Sequence, residues 1–233
     1  MTIISHKYRF IFIKTGKTAG TSIQLALEKV CGPDDICSPV TQKKHPRPGE
    51  EGYVARNYRG FFIPRPFRPE GLQSRFGSEI KDFFRRRKYK SHMPATDVRW
   101  RVGRELWDGY FKFSVERNPW DKAVSEYFWK KRHFTEDVSF EEWLPGAYPS
   151  SRISWLTIDG KLSMDRVLRY EDLANDFAAL MQDLGVQETP QLPRAKGGTR
   201  PNRTDYRDMH TPFTRDYIAR VCAPEIEAFG YRF

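Results

Sequence analysis

The feature that most constrains the fold is a buried-looking segment near the N-terminus, followed by a short glycine-containing loop and an amphipathic segment. Residues 8–14 (YRFIFIK) form an almost continuous apolar and β-branched run, as expected of a buried parallel strand. The loop TGKTAGT follows, and the next segment places Ile23, Leu27 and Val30 at helical spacing before Gly32. The order strand, loop, helix predicts that the helix N-terminus faces the loop.

This loop has the residue types of an anion-binding site. Backbone N–H groups at a helix N-terminus attract negative charge, and the helix dipole adds to that attraction. Gly16 and Gly20 would let the backbone approach a ligand closely. The other loop residues supply backbone amides, hydroxyl groups and one ammonium group; they are Lys17, Thr18, Ala19, Thr21 and Ser22. An ordinary turn with Ser22 as the helix N-cap would explain Ser22 alone.

The loop differs from the Walker A loop of kinases and NTPases. That motif, GxxxxGK[ST], would require a glycine at position 11, where this chain has Ile11 within the predicted strand. The sequence therefore predicts a shorter anion cradle, suited to a phosphate that carries a further anionic group. A P-loop kinase or NTPase is the first alternative.

A second segment repeats the same arrangement. Residues 110–115 (YFKFSV) predict another buried strand, and Arg117 follows at its carboxyl end. Residues 120–131 predict an amphipathic helix that carries Ser125 about two turns beyond Arg117. Ligands of open parallel sheets bind beyond the carboxyl ends of the strands. If the two strands are neighbours, Lys17 and Arg117 face one crevice.

Strands and helices alternate along the rest of the chain. The pattern predicts a helix starting with Thr96 as its cap, a hairpin at Asp159 and Gly160, a helix over residues 171–184 and a last helix over 211–233. This alternation predicts one α/β domain spanning the chain, a three-layer P-loop-like fold in which helices flank a mainly parallel central sheet.

Residues 39–90 interrupt the alternation. Proline, glycine, arginine and aromatic residues follow one another without periodicity. Long irregular stretches in compact domains are usually functional or mobile, although a solvated insertion fits equally well. We expect this insertion to shape an acceptor site. The basic residues from Arg85 to Lys90 would hold an anionic acceptor or form a solvated charged surface.

The charge balance narrows the class of ligand. The chain has 40 Lys and Arg against 30 Asp and Glu, a net charge of +10. A basic surface attracts anions, which include nucleic acid, anionic lipid, anionic glycan and phosphorylated nucleotides. A non-enzymatic binder of nucleic acid or anionic glycan is therefore the second alternative.

Cysteine content and hydropathy predict an intracellular, soluble protein. Cys31, Cys37 and Cys222 are an odd number without a CxxC pattern, which favours free thiols over disulfides or a zinc site. No apolar run approaches the ~20 residues that span a bilayer, and no cleavage site follows the N-terminal apolar segment. We expect a cytoplasmic protein, for which peripheral membrane contact stays open.

Two motifs together resemble those of the sulfotransferases that use 3′-phosphoadenosine 5′-phosphosulfate. FIKTGKTAGTSI looks like their 5′-phosphosulfate loop, and VERNPWDKAVSEY looks like their 3′-phosphate motif. The order and spacing are similar to the carbohydrate branch, particularly its bacterial members. The resemblance implies sulfuryl transfer to a hydroxyl of a carbohydrate or glycolipid acceptor, which can be anionic. It further implies adenosine 3′,5′-bisphosphate as product, no metal and no nucleic-acid partner.

The same resemblance implies roles for the loop residues. Lys17 would stabilise the bridging oxygen as the leaving 5′-phosphate takes up charge, and the N–H groups of residues 18–22 would bind that phosphate. Arg117 and Ser125 would hold the 3′-phosphate.

The chain also departs from the family pattern at two positions. Gly16 stands where many members have proline, and Glu116 stands where many have an apolar residue. A carboxylate beside a phosphate site would repel the phosphate. We therefore expect the side chain of Glu116 to point away from the site.

The candidate general base is His92, in the segment KSHMPA. Histidine titrates near neutral pH, which suits proton abstraction from a hydroxyl. The resemblance implies a His or Glu after the variable insertion, and His92 matches that place. The alternatives are a loop histidine packed against Met93 and Pro94, or a base at Glu79 or Asp82.

Overall fold

The computed structural model describes residues 2–39, 53–59, 88–90, 92–147, 152–193 and 205–233. Within these ranges a central sheet has the strand order β3-β1-β2-β4-β7, and a small hairpin pairs β5 with β6. The strands are β1 (Thr2–Ser5), β2 (Phe10–Ile13), β3 (Ile36–Cys37), β4 (Phe111–Glu116), β5 (Thr157–Ile158), β6 (Lys161–Leu162) and β7 (Arg166–Arg169).

The central sheet is mostly parallel, as predicted. Strand β2 pairs in parallel with β4, and β4 pairs in parallel with β7. Strand β1 runs against both of its neighbours, β2 and β3. Strands β2 and β4 are thus adjacent, and their carboxyl ends meet at the same edge of the sheet.

Strand β1 was not resolved by the sequence pattern, which indicated one strand over residues 8–14. The structure instead has a hairpin, with Arg9 in a left-handed conformation (φ 55°) just before β2. The carboxylate of Asp35 holds the turn: it accepts from the Ser5 hydroxyl at 2.8 Å and from the His6 N–H at 2.6 Å. Because Asp35 is 30 residues beyond Ser5, no local pattern could reveal this turn.

Helices cover both faces of the sheet. They are α1 (Gly20–Val30), α2 (Ala95–Val102), α3 (Arg104–Gly109), α4 (Pro119–Lys131), α5 (Phe140–Ala147), α6 (Leu173–Asp183), α7 (Pro212–Val221) and α8 (Ala223–Phe229). On β2, Phe10 and Phe12 pack with α1 and α6, whereas Ile11 and Ile13 pack with α2 and α3. Alternate residues of one strand are therefore buried on opposite faces, which confirms a central sheet between helices.

Two predicted helices are each divided in two. The helix expected from Thr96 begins at Ala95 with Pro94 as its N-cap, and it ends at Gly103, whose φ of 85° is incompatible with helix. The C-terminal helix is divided at Cys222, after which Pro224 occupies the first turn of α8. Proline lacks the N–H that would continue the preceding helix.

Other local predictions are confirmed. Asp159 and Gly160 both have positive φ, 52° and 75°, in the turn between β5 and β6. The cysteines are free, as predicted. Of the insertion predicted at 39–90, residues 40–52 and 60–87 lie outside the described residues. Arg56 forms an isolated bridge with Cys37.

Candidate active site

The loop between β2 and α1 is tied to the neighbouring strand. The Thr15 hydroxyl donates to the carbonyl of Val115 in β4 at 2.8 Å, and it lies 3.1 Å from the Thr18 hydroxyl. Lys17 and Ala19 are left-handed, with φ of 63° and 52°. Such conformations cost energy in non-glycine residues and persist where the surroundings fix them.

The N-terminus of α1 suits an anion. Its N-cap is Ala19, which makes no side-chain hydrogen bond to the helix and has no side-chain oxygen with which to make one. Ser22 lies inside the first turn, so the interpretation of Ser22 as an ordinary N-cap is wrong. The first N–H groups of a helix need a partner from outside the helix, and an anion can supply it.

A buried lysine that no sequence motif indicated lies beneath this helix end. The Lys14 side chain donates from Nζ to the Thr21 hydroxyl at 2.9 Å, and the residue is 6% exposed. A Cβ at Gly20 would lie 2.5 Å from Cγ of Lys14. Glycine at position 20 therefore makes room for the lysine stem. The available signal was a lysine at the end of a buried strand.

Arg117 joins the two loops. It follows β4, and its Nη1 donates to the backbone carbonyl of Lys17 at 3.3 Å. Its guanidinium pairs with Asp121 at 2.7 Å and lies 4.0 Å from the ring centroid of Tyr170. The structure thus brings Lys17 and Arg117 to one edge of the sheet, as the parallel topology predicted.

Helix α4 forms the wall beside these loops. The ammonium group of Lys17 lies 4.8 Å from the ring centroid of Trp129. Ser125 is half-buried and comes one turn before Trp129, so both residues lie on the same face of α4. The side chain of Lys17 therefore reaches toward the face that carries Ser125.

The charge of Glu116 is neutralised next to this site. Its Oε2 accepts a hydrogen bond from Nζ of Lys122 at 2.8 Å, and both side chains are buried. This buried ion pair accounts for a carboxylate directly before Arg117.

The guanidinium of Arg152, which no sequence motif indicated, packs against the loop. A Cβ at Gly16 would lie 2.7 Å from Nη1 of Arg152. The Nη2 atom of Arg152 is 3.5 Å from each carboxylate oxygen of Glu126 in α4. Arg152 is distant in sequence from both loops, so no motif pointed to it.

His92 lies beside the same loop. Its φ is 60°, its ring packs edge-on against Trp155 at 6.1 Å, and it hydrogen-bonds to the backbone of Lys14. The residue as a whole is exposed. Desolvation of the ring and nearby positive charges, among them Lys14 and Arg152, lower the pKa of His92 to about 3. The imidazole is therefore neutral at pH 7, and a pKa this low makes it a weak base until a bound anionic donor raises that pKa. Glu79 and Asp82 lie outside the described residues.

We expect the ring signals of His92 to titrate well below pH 6.5 in the nucleotide-free protein. Since the folded protein disfavours the protonated ring, the unfolded chain binds the proton first as pH falls. The free energy of unfolding should thus lose a contribution as pH falls from 6.5 toward about 3. NMR titration would measure the midpoint, with His92→Gln identifying the signal. A midpoint near 6.5 would contradict this account of the ring's surroundings.

The fold and these two loops define an α/β protein with a candidate anion cleft at the carboxyl ends of neighbouring parallel strands. The sequence matches the model of the Sulfotransferase family over residues 1–232. The chain therefore belongs to the sulfotransferase family.

A relative and a structure search add to this result. An uncharacterized protein of Archaeoglobus fulgidus is 37% identical to the chain over 102 residues, which are 41% of this chain and 85% of that protein. No solved structure matches the chain. The similarity of the fold to P-loop proteins therefore stays a prediction.

Two further findings concern the described part of the chain. Its helices are all too short or too polar to cross a membrane. Its His, Cys, Asp and Glu side chains form no group of three that could hold a metal ion.

Proposed function

We propose that the protein transfers a sulfuryl group from 3′-phosphoadenosine 5′-phosphosulfate to a hydroxyl group of a carbohydrate or glycolipid acceptor. Membership of the sulfotransferase family supports the reaction type. The contact between Arg117 and the Lys17 carbonyl, 3.3 Å long, supports the donor. A nucleotide with phosphate groups on both sides of one ribose needs two anion sites next to each other, and this contact joins two candidate sites.

The residues at the loop fit the 5′ end of this donor. The N-terminus of α1 directs backbone N–H groups toward the loop, and Lys14 places a buried positive charge beneath it. An anionic ligand bound at this helix end, near Thr21 and its partner Lys14, would be attracted by that charge.

In this proposal Arg117 and Ser125 bind the 3′-phosphate. Arg117 presents a planar guanidinium, which matches phosphate oxygens in a bidentate manner. Its ion pair with Asp121 and its stacking on Tyr170 hold the guanidinium plane in place before a ligand arrives. Such preorganisation lowers the cost of ordering the side chain on binding.

The proposed reaction is an in-line displacement at sulfur. Neutral His92 takes the proton of the acceptor hydroxyl, and the acceptor oxygen forms a bond to sulfur. The bond between sulfur and the bridging oxygen breaks, and its electron pair stays on the 5′-phosphate. Lys17 moves from the face of Trp129 toward that oxygen and stabilises the charge that develops there.

Two measurements test this function. Adenosine 3′,5′-bisphosphate should raise the melting temperature more than ATP with magnesium does, because only the first ligand fills both sites. Radiolabelled donor should then label one class of glycan in a panel, with mass analysis locating the sulfate. A larger shift with ATP would favour the kinase alternative. Glycan binding without transfer of label would favour the non-enzymatic alternative.

Replacing Arg117 with alanine should weaken the binding of adenosine 3′,5′-bisphosphate by about 1.5–3 kcal/mol, the range for hydrogen bonds to charged groups. Adenosine 5′-phosphate has no 3′-phosphate, so its affinity should change little. Isothermal titration calorimetry of both nucleotides makes the comparison. Equal weakening of the two would place Arg117 outside the 3′-phosphate site.

A further inference from the structure

The proposed roles leave the position of Arg152 beside the loop unused. It approaches the loop closely: a Cβ at Gly16 would lie 2.7 Å from its Nη1. It belongs to none of the motifs that carry the family resemblance, and it lies shortly before the β5–β6 hairpin, far from both loops in sequence. Its guanidinium nevertheless lies at the point where the loop backbone faces helix α4.

The backbone under Arg152 is fixed by a buried carboxylate. Oε1 of Glu225 in α8 accepts hydrogen bonds from the N–H groups of both Arg152 and Ile153, the second at 3.1 Å. Glu225 is 4% exposed. A buried carboxylate that accepts two backbone hydrogen bonds holds a segment firmly, since leaving it unpaired would be costly. The backbone from which the Arg152 side chain extends is therefore fixed.

The guanidinium itself is held loosely. Its distance to both carboxylate oxygens of Glu126 is 3.5 Å, whereas charge-assisted hydrogen bonds are typically about 2.7–2.9 Å long. Arginine has five N–H donors, more than one carboxylate can accept. The geometry leaves Arg152 able to bind a second anion without leaving Glu126.

The position of Arg152 relates the loop to the candidate base. Its guanidinium contacts the loop at Gly16 and is close enough to His92 to disfavour a positive charge on the imidazole. In an in-line transfer, the group that moves lies between the leaving oxygen at the loop and the acceptor oxygen at the base. A cation that packs against the loop and lies near the base borders that space.

We propose that Arg152 is a further catalytic residue, whose guanidinium binds the sulfuryl oxygens of the donor between the Gly16 loop and His92. This inference rests on the proposed function. Charge spreads over the sulfuryl oxygens in the transition state, and a fixed guanidinium stabilises such charge more than it stabilises the ground state.

The test compares two nucleotides that differ by the sulfuryl group alone. In Arg152→Ala, the dissociation constant of 3′-phosphoadenosine 5′-phosphosulfate, measured without acceptor, should rise by about tenfold to a hundredfold. That of adenosine 3′,5′-bisphosphate should stay near the wild-type value. Calorimetry gives both constants, and kcat with a glycan acceptor should fall. Arg152→Lys should recover part of the lost affinity.

The variants and control keep the result interpretable. The hydrogen bonds to Glu225 come from the backbone, so Arg152→Ala retains them and should fold. The control is Arg166→Ala. Arg166 in β7 pairs with Asp183 in α6, so this variant removes an equal charge elsewhere and should leave both affinities unchanged. Equal effects on the two nucleotides, or none, would overturn the assignment of Arg152. If the wild-type protein bound neither nucleotide, the proposed function itself would fail.

Discussion

Replacing Lys17 with alanine is expected to lower turnover by at least about 10²–10³-fold, the loss found when one preorganised group that stabilises transition-state charge is removed. The physical reason is the negative charge that the bridging oxygen acquires as its bond to sulfur breaks. The half-buried ammonium group of Lys17 is held against Trp129 at 4.8 Å, one turn beyond Ser125, and can reach that oxygen by rotation of its side chain.

The control for this variant is a lysine in the helix that follows the loop. Lys29 is exposed near the other end of α1, so Lys29→Ala removes an equal charge far from the loop and should keep full turnover. Circular dichroism and the melting temperature would verify that Lys17→Ala is folded. Near-normal turnover in folded Lys17→Ala would remove Lys17 from the reaction. If neither the wild-type protein nor Lys17→Ala showed turnover and both still bound glycan, a non-enzymatic binder would be favoured.

The sequence predicted the part of the site that depends on local pattern. The apolar run of β2 and the helical spacing of Ile23, Leu27 and Val30 place Lys17 between a strand and a helix. The same order of strand, loop and helix places Arg117 directly after β4. The prediction that Lys17 and Arg117 meet needed one further assumption, that the strands are parallel neighbours. The pairing of β2 with β4 confirms that assumption.

The residues that the sequence did not reveal depend on contacts across the fold. Arg152 reaches the loop because Glu225, 73 residues further along the chain, holds its backbone. Lys14 looked like the end of a strand, and its place under Thr21 follows from the packing of its stem against Gly20. Glycine at position 20 was explained by close approach of a ligand, whereas the structure explains it by an internal side chain. No periodicity encodes such contacts.

The division of predicted helices has a similar physical cause. The apolar spacing from Val98 through Leu106 predicted one continuous helix, because a hydrophobic pattern carries no information about the backbone conformation of Gly103. Gly103 adopts a φ of 85°, so α2 ends there and α3 begins as a separate helix. Val98 of α2 and Trp107 of α3 lie in one cluster with Ile11 and Ile13 of β2. That cluster supports the segment from which His92 extends.

The second large effect is expected from Glu116→Ala, which should lower the free energy of unfolding by about 3–5 kcal/mol, the cost of breaking a buried ion pair on one side. Glu116 and Lys122 are 2% and 5% exposed and 2.8 Å apart. Alanine would leave the ammonium group of Lys122 buried without its carboxylate. Urea unfolding followed by tryptophan fluorescence would measure the change.

The matched control replaces both partners. Glu116→Met combined with Lys122→Met removes both charges, and buried ion pairs replaced by apolar side chains of similar volume are often neutral or more stable. Oε1 of Glu116 is also buried with no hydrogen-bond partner among the described residues, so the double variant removes an unsatisfied atom as well. We expect it to unfold at nearly the wild-type urea concentration. A double variant as unstable as Glu116→Ala would mean that packing at position 116, and not charge pairing, determines the loss. Because the double variant leaves the net charge beside Arg117 unchanged, it should retain affinity for adenosine 3′,5′-bisphosphate, which separates the structural role of this pair from nucleotide binding.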